Sequence, residues 1–278
     1  MANRRLITKA VLYLILILLA FMMVLPLIWM FLSSFKTGSE IFAQPPVWIP
    51  ETFQWKNYLN AFNLAPFGIY LANSLITATA ITVIQIMLSS MIAYGLTQLE
   101  FKGKAFLFQS MLLTYMLPAA VTYVPSYVIL AKLGLLDSLT GIVVSNISSV
   151  FSIFLLRQSF LKVPKEIVEA ARSEGANDWQ ILWKVMCPMS LSTIFTLAMI
   201  TFVEMYNNYL WPSLIVKSQS KYLITVGLNQ FFTTQGTFQN QWAMIMAVNV
   251  ISVAPLLLLF FIFQKWFIKG VGDSGLKG

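Results

Sequence analysis

Histidine is absent from this 278-residue sequence, and cysteine occurs once, as Cys187. The first absence excludes histidine-dependent catalysis and most zinc chemistry, including membrane metalloproteases of the His-Glu-x-x-His kind. The second excludes an internal disulfide. Charge is scarce as well. Only 10% of the residues are Asp, Glu, Lys or Arg, against about 25% in an ordinary soluble domain. No Gly-x-x-x-x-Gly-Lys-Ser/Thr phosphate loop occurs, so the chain has no phosphate cradle of that type. There is no internal repeat, no low-complexity tract, and no polar stretch long enough to bury a core of its own.

What is present is apolar: 58% of the residues are hydrophobic. A membrane-spanning helix needs about 20 consecutive, mostly apolar residues. Such runs predict an all-α, polytopic membrane protein, one domain over 1–278, with six transmembrane helices at 11–32, 73–99, 105–131, 139–160, 189–216 and 243–266. The first run follows Arg4, Arg5 and Lys9 as a secretory signal would. It is too long for one and lacks a small-residue cleavage site, so it reads as a retained signal anchor. The formal net charge of +8 matters through its placement. With the N-terminus inside, the inner segments hold most of the basic residues, among them Arg157, Lys162, Lys165, Arg172, Lys184, Lys265 and Lys269. The outer segments hold Lys36, Lys56, Lys132, Lys217 and Lys221. This is the positive-inside pattern, and six spans return the C-terminus to the cytoplasm. A basic face with groove-reading or aromatic elements is missing, which excludes nucleic acid as a partner. Prolines recur within the spans. Pro26 and Pro255 read as bends, whereas Pro118, Pro125 and Pro212 stand beside polar residues and suit a pathway lining. The outer segment 36–70 contains an extended, proline-stiffened stretch at 44–50, with Trp48, Trp55 and Tyr58 suited to the membrane interface.

The segment 161–188 differs from its surroundings. Glu166, Glu169, Glu174 and Asp178 all fall in it, between two apolar runs. Pro164 suits a helix start. Glu166 and Glu169 lie near the positive end of the helix dipole, and Ala170 and Ala171 favour helix without adding bulk. Gly175 can end that helix in a left-handed conformation, and Asp178 and Trp179 open a second one. The expected product is a cytoplasmic helix-turn-helix with a small-residue patch and an acidic rim. Another protein can approach such a patch closely, and the acids would set its register. An interfacial helix that merely joined two spans would be basic on its polar face.

Glu169-Ala170-Ala171, followed by Gly175-Ala176 and then Val185 and Pro188, resembles the Glu-Ala-Ala loop of ATP-binding-cassette importer permeases. Glu174 replaces the usual Asp and Cys187 the usual Leu, which keeps charge and apolarity respectively. Residues 201–212, ending Asn207-Asn208-Tyr209-Leu210-Trp211-Pro212, are similar to the fifth span of carbohydrate permeases, with Tyr206 and Asn208 as departures. The tail from Gln264 to Gly278 looks like that of the maltose-type second permease. The resemblance implies a type I importer permease fold in a bacterial plasma (inner) membrane. It also implies a set of partners: a second homologous permease, two ATPase subunits that bind ATP and Mg, and an extracellular or periplasmic solute-binding protein. This chain itself would bind no cofactor and no metal and would carry no catalytic residue. The same resemblance makes Glu166, Glu169, Ala170, Ala171, Glu174, Gly175 and Ala176 the ATPase-coupling residues. It places Gln235, Gly236 and Thr237 at the tip of an outer loop that enters the binding protein. A lid packed on the permease itself is the other reading of that loop, and the tail reads either as free or as reaching the ATPases.

Glu204, Asn207, Asn208 and Trp211 fall at i, i+3, i+4 and i+7, one face of a helix. Planar polar groups and an aromatic ring suit a sugar path, to which Tyr115 is added as a further candidate; interhelical hydrogen bonding is the competing use of such residues. An acid within a span is a functional site by default, so an ion-coupled secondary transporter using Glu204 is the alternative function. The Glu-Ala-Ala segment argues against it, because that class needs no ATPase dock.

Overall fold

A computed structural model describes residues 2–234 and 238–275. In chain order its helices are α1 (Ala2–Ser33), α2 (Gly38–Ile41), α3 (Lys56–Leu64), α4 (Phe67–Gln98), α5 (Lys104–Tyr115), α6 (Ala119–Lys132), α7 (Leu139–Val144), α8 (Val150–Phe160), α9 (Lys165–Ser173), α10 (Asp178–Ile181), α11 (Cys187–Met189), α12 (Leu191–Asn207), α13 (Leu210–Ile215), α14 (Ile224–Thr234) and α15 (Phe238–Gly275), with a π-helical turn at Leu182–Met186. Backbone in hydrocarbon must satisfy its own hydrogen bonds, which is why apolar runs of this length become helices. Among the described residues three helices are each long and apolar enough to cross a membrane: α1 over Thr8–Ser33, α4, and α15 over Gln241–Gln264. They overlap residues 11–32, 73–99 and 243–266.

The other three expected spans are not continuous helices. Residues 105–131 fold as α5 and α6, 139–160 as α7 and α8, and 189–216 as α12 and α13. Each break has a local cause. Pro118 has no N–H to donate and disfavours helix in the residue before it; it stands as the N-cap of α6. After α7, Ser145 Oγ donates to the Gly141 carbonyl and Asn146 Nδ2 to the Ile142 carbonyl, both at 2.8 Å. Such side-chain bonds compete with the helical ladder. Ser149 then caps α8 by accepting from the Ser152 N–H. The ring of Pro212 would meet the carbonyl four residues back if α12 ran on. Asn208 is instead extended (φ −66°, ψ 124°), and its carbonyl accepts from Thr225 Oγ1 at 2.8 Å. Pro26, Pro125 and Pro255 stay inside α1, α6 and α15.

The chain divides into two units, residues 1–68 with 228–255 and residues 69–227 with 256–278. In the first, the apolar surface of α1 is uncovered, Leu16 and Met23 being 51% and 75% exposed. Its C-terminus runs into an aromatic cluster. Phe35 meets Phe53, Trp55 and Tyr58 at ring-centroid distances of 5.5, 4.6 and 5.3 Å. The buried Lys36 ammonium lies 3.7 Å from the centre of the Trp29 ring, a cation–π contact. Asn57 Nδ2 donates to the Ser34 and Lys36 carbonyls at 3.0 and 2.9 Å, serving acceptors that a helix end leaves open. The segment 36–70 is partly helical, in α2 and α3, and Trp48 and Trp55 are exposed.

In the second unit α4 buries one face at helical spacing, through Tyr70, Asn73, Ser74, Thr77, Ile81, Gln85, Ser89 and Ala93. The polar members of that face tie other segments to it. Asn73 Nδ2 donates to the Ser220 and Tyr222 carbonyls, each at 3.0 Å, and Ser74 Oγ accepts from the Ile224 N–H at 2.8 Å. Gln85 Nε2 donates to the Asn146 carbonyl at 2.9 Å, within the α7–α8 break, while its Oε1 accepts from Thr201 Oγ1 of α12 at 3.1 Å. One apolar cluster joins Ile81, Leu130, Ile142, Trp211, Ile215 and Leu223. Another joins Ala93, Tyr94, Leu156, Phe160 and Leu197 to the underside of 163–187.

Asp137, between α6 and α7, has a positive φ of 50°. It accepts from the Lys217 and Ser218 N–H groups, each at 2.8 Å, and from Ser218 Oγ. The Ser218 hydroxyl and the two N–H groups hold its carboxyl down at about 2, against an ordinary 3.8. A depressed carboxyl contributes stability that is fully present above its ordinary value and lost as pH falls through the depressed one. The stability difference between wild type and Asp137→Asn should therefore be constant above about pH 5 and shrink towards about pH 2. Thermal unfolding of both proteins across that range reads it directly; a difference independent of pH would show that the carboxylate charge does not pin this loop.

Candidate functional site

The acidic segment folds as its local chemistry dictates. α9 carries Glu166 in its first turn and Arg172 in its last, each at the favourable end of the dipole. Gly175 has φ +87°. Its N–H donates to the Arg172 carbonyl and the Ala176 N–H to the Ala171 carbonyl, both at 3.0 Å; together these form a Schellman stop. Asn177 then caps α10 and Gln180 reaches back to the Asn177 N–H, a complete capping box. α10, the π-turn and α11 follow, and the chain turns by 82° into α12.

Burial sorts this helix-turn-helix into two faces. Val168, Ile181, Leu182, Met186 and Cys187 are buried beneath it, with Ala171 and Ala176 packed partly against the same cluster. Glu166, Glu169, Ala170, Glu174 and Gly175 are exposed, and Trp179 is exposed with its ring edge-on to Trp183 at 5.6 Å. The structure thus brings the seven expected coupling residues together on one short segment. The outward face of 165–181 carries four acids, Glu166, Glu169, Glu174 and Asp178, against two bases, Lys165 and Arg172.

A latch that sequence reasoning missed ties this segment to α4. The buried Tyr94 hydroxyl donates to Asp178 Oδ1 at 2.6 Å, and the Arg172 guanidinium donates to the same oxygen at 3.1 Å. One carboxylate therefore joins α4, α9 and α10. Tyr94 lies 84 residues from Asp178, and nothing in a chain position signals that pairing. Removing the hydroxyl leaves Asp178 with Arg172 alone and costs about 1.5–3 kcal/mol, the worth of a hydrogen bond to a charged group. Tyr94→Phe should accelerate amide exchange across 165–181 by about tenfold or more relative to α12. Equal exchange in both proteins would show that the latch carries no load.

The expected sugar-path residues do not share one helix face, because the break at Asn208 destroys the spacing that aligned them. Glu204 and Asn207 are exposed near the end of α12 and Asn208 is half-buried. Trp211 is turned into the core: it is 4% exposed, Nε1 donates to Ser145 Oγ at 2.8 Å, and the ring stacks on Tyr123 at 5.1 Å. Tyr115, at the end of α5, is 60% exposed. Gln235, Gly236 and Thr237 lie outside the described residues, as do residues 276–278 of the tail. Gln85 was missed in the sequence; the signal that could have found it is an amide inside an apolar run, a residue type that marks either function or helix packing. A cavity of about 210 Å³ lined by Thr79, Thr82, Phe195, Met199, Phe202, Leu259 and Phe263 is almost wholly apolar and offers a sugar two hydroxyls. Among the described residues no group of His, Cys, Asp and Glu is arranged to hold a metal ion.

Comparison with known proteins gives a consistent result. Residues 85–273 match the family described as binding-protein-dependent transport system inner membrane component. The chain is 33% identical over 268 residues to the sn-glycerol-3-phosphate transport system permease protein UgpE of Yersinia pestis bv. Antiqua, covering 94% of this chain and 95% of the relative. It is 30% identical over 265 residues to the arabinooligosaccharides transport system permease protein AraQ of Halalkalibacterium halodurans, covering 94% and 93%. Among solved structures, a chain of a bacterial ABC transporter involved in the import of the acidic polysaccharide alginate superposes with a TM-score of 0.85 at 24% identity, covering 94% of this chain and 96% of that one. At that identity the likeness speaks for the fold alone.

Proposed function

The chain belongs to the binding-protein-dependent transport system inner membrane component family, and on that premise we propose that it is the permease subunit of an ATP-driven importer of a sugar or oligosaccharide. Its fold is that of a type I importer permease, and the family's members are transport subunits of the inner membrane. A second homologous permease forms the other half of the pathway. Two ATPase chains, carrying ATP and Mg, sit beneath, and a solute-binding protein delivers the cargo outside. The names of the relatives, a glycerol phosphate permease and an arabinooligosaccharide permease, support the polyhydroxylated substrate class.

One observation carries the coupling role: the segment 165–181 is anchored on its buried face and bare on its acidic, small-residue face. A surface that is held firmly from behind can pass force on. Closure of the ATPases around ATP moves this segment, and α4 moves with it through the Tyr94–Asp178 bond. The pathway then opens outward, and hydrolysis reverses the change. Each of the two global states is favoured by a different ligand, ATP below and loaded binding protein above. The tip Gln235–Gly236–Thr237 is assigned to the binding-protein contact, and Glu204, Asn207, Asn208 and Tyr115 to the substrate path; Trp211, buried in the core, supports that path from behind. Both termini are cytoplasmic.

The test is to purify the chain from its membrane, identify an ATPase subunit that travels with it, and measure which loaded binding protein stimulates hydrolysis. Absence of an ATPase from the purified material would refute the reading. Glu169→Lys places a cation where the rim is acidic, and like charges facing each other across a contact disfavour it. It should weaken ATPase attachment by about tenfold with normal membrane insertion. Unchanged attachment would remove Glu169 from the interface.

A further inference from the structure

Lys104, at the start of α5, and Arg157, in the last turn of α8, line one cavity of about 310 Å³, whose other walls are Leu96, Ala105, Phe108 and Gln109. No carboxylate lines it, and neither cation joins an ion pair among the described residues. Lys104 Nζ donates to the Thr97 and Leu99 carbonyls at 3.3 and 3.0 Å, which fixes the ammonium without neutralising it. Arg157 is held by its flat face alone. The guanidinium carbon lies 4.1 Å from the centre of the Phe108 ring, and that ring stacks on Phe154. Arg157 Nε is buried with no hydrogen-bond partner. Of the buried side-chain atoms in that state among the described residues, it is the one that belongs to a charged group. A buried donor without an acceptor is costly, more so on a cation, and calls for an explanation.

The acceptor that fits is an anion with several oxygens. A planar guanidinium is matched to phosphate or carboxylate, and Arg157 lines the cavity. The left-handed Gly103 precedes α5 and has no side chain to cap it, so the first N–H groups of that helix add to the same positive field. Around the cavity the surface is hydrocarbon-like: Phe101, Phe106 and Leu107 are 43%, 71% and 50% exposed. An anion that sits on two cations while its remainder lies along apolar side chains is an anionic lipid. Basic pockets between helices at the cytoplasmic end of a membrane protein suit such headgroups.

We propose that the Lys104–Arg157 cavity binds the phosphate of an anionic phospholipid, with the acyl chains lying along Phe106 and Leu107. The phosphate chemistry is shared with free phosphate, and the experiment separates the two. The assignment to the cytoplasmic leaflet rests on the orientation proposed above; the site itself does not. The intact transporter is placed in nanodiscs of phosphatidylcholine and phosphatidylglycerol, extracted, and its retained lipids are counted on this chain by native mass spectrometry. Wild type should retain phosphatidylglycerol over phosphatidylcholine. Lys104→Gln with Arg157→Gln should cut that preference by about tenfold or more, the equivalent of one charge-assisted hydrogen bond. Arg157→Lys, which keeps the charge and loses the planar fork, should fall between them. The ATPase co-purifying with each variant reports an intact fold. Equal preference in wild type and double variant would overturn the proposal, and displacement of the lipid by inorganic phosphate would replace the lipid with a soluble anion. Loss of the ATPase from wild type as well would count against the importer reading and leave the lipid count standing.

Discussion

Gly175→Val should abolish sugar uptake while leaving the protein in the membrane. The residue sits at φ +87°, where its N–H and that of Ala176 close the Schellman stop on α9. A left-handed conformation costs an ordinary residue about 1–2 kcal/mol, and a β-branched one is a genuine outlier there. A Cβ at Gly175 would meet nothing within 4 Å, so the penalty lies in the backbone and not in a clash. The cheapest escape for the chain is to unwind the turn, which displaces α9 from α10 and breaks the acidic face in two. This explains why Gly175→Asn is the right control: asparagine tolerates the left-handed region and should keep most of the uptake. Transport in vesicles and ATPase stimulation by loaded binding protein are the two readings. Full uptake by the valine variant would show that the turn is not needed for coupling.

Gln85→Leu should cost about 2–4 kcal/mol of stability, from two or three buried polar groups left without partners at about 1 kcal/mol or more each. The amide holds the Asn146 carbonyl, which the α7–α8 break has released, and accepts from Thr201 and, at 3.4 Å, from Ser152. Leucine fills similar space and satisfies none of them. Thr201→Val removes one bond and should cost less, about 1 kcal/mol. The double variant should then be no worse than Gln85→Leu, because the second change removes a bond already gone; such non-additivity marks groups in one network. Denaturant unfolding of the four proteins measures the cycle. Strict additivity would mean that Gln85 and Thr201 act separately and that the break is held by something else.

The acidic segment was legible because its geometry is made of short-range rules. Pro164, Gly175 and Asn177 each act within one helical turn, and helix, stop and restart came out where those residues place them. The apolar helices were legible in position and less so in continuity. Hydropathy sums over a window do not register one missing N–H at Pro118, or the Ser145 and Asn146 side chains that bond back to α7. The shared face of Glu204, Asn207, Asn208 and Trp211 was not legible, because counting i, i+3, i+4 and i+7 assumes an unbroken helix. Asn208 ends that helix, and Trp211 consequently points into the core.

By itself the sequence determined that this chain lies in a membrane, is helical, and carries one charged helix-turn-helix between apolar runs. Those properties follow from composition and from contacts within a turn or two of helix. Tertiary structure decided which interrupted helices could persist and what holds the charged segment in place. A released carbonyl in hydrocarbon is tolerable only if something answers it. The answers come from Gln85 to Asn146, 61 residues apart, and from Thr225 to Asn208, 17 apart, while Tyr94 reaches Asp178 across 84. Pairings at such separations arise from packing, since the residues between them leave no local trace of who will meet whom.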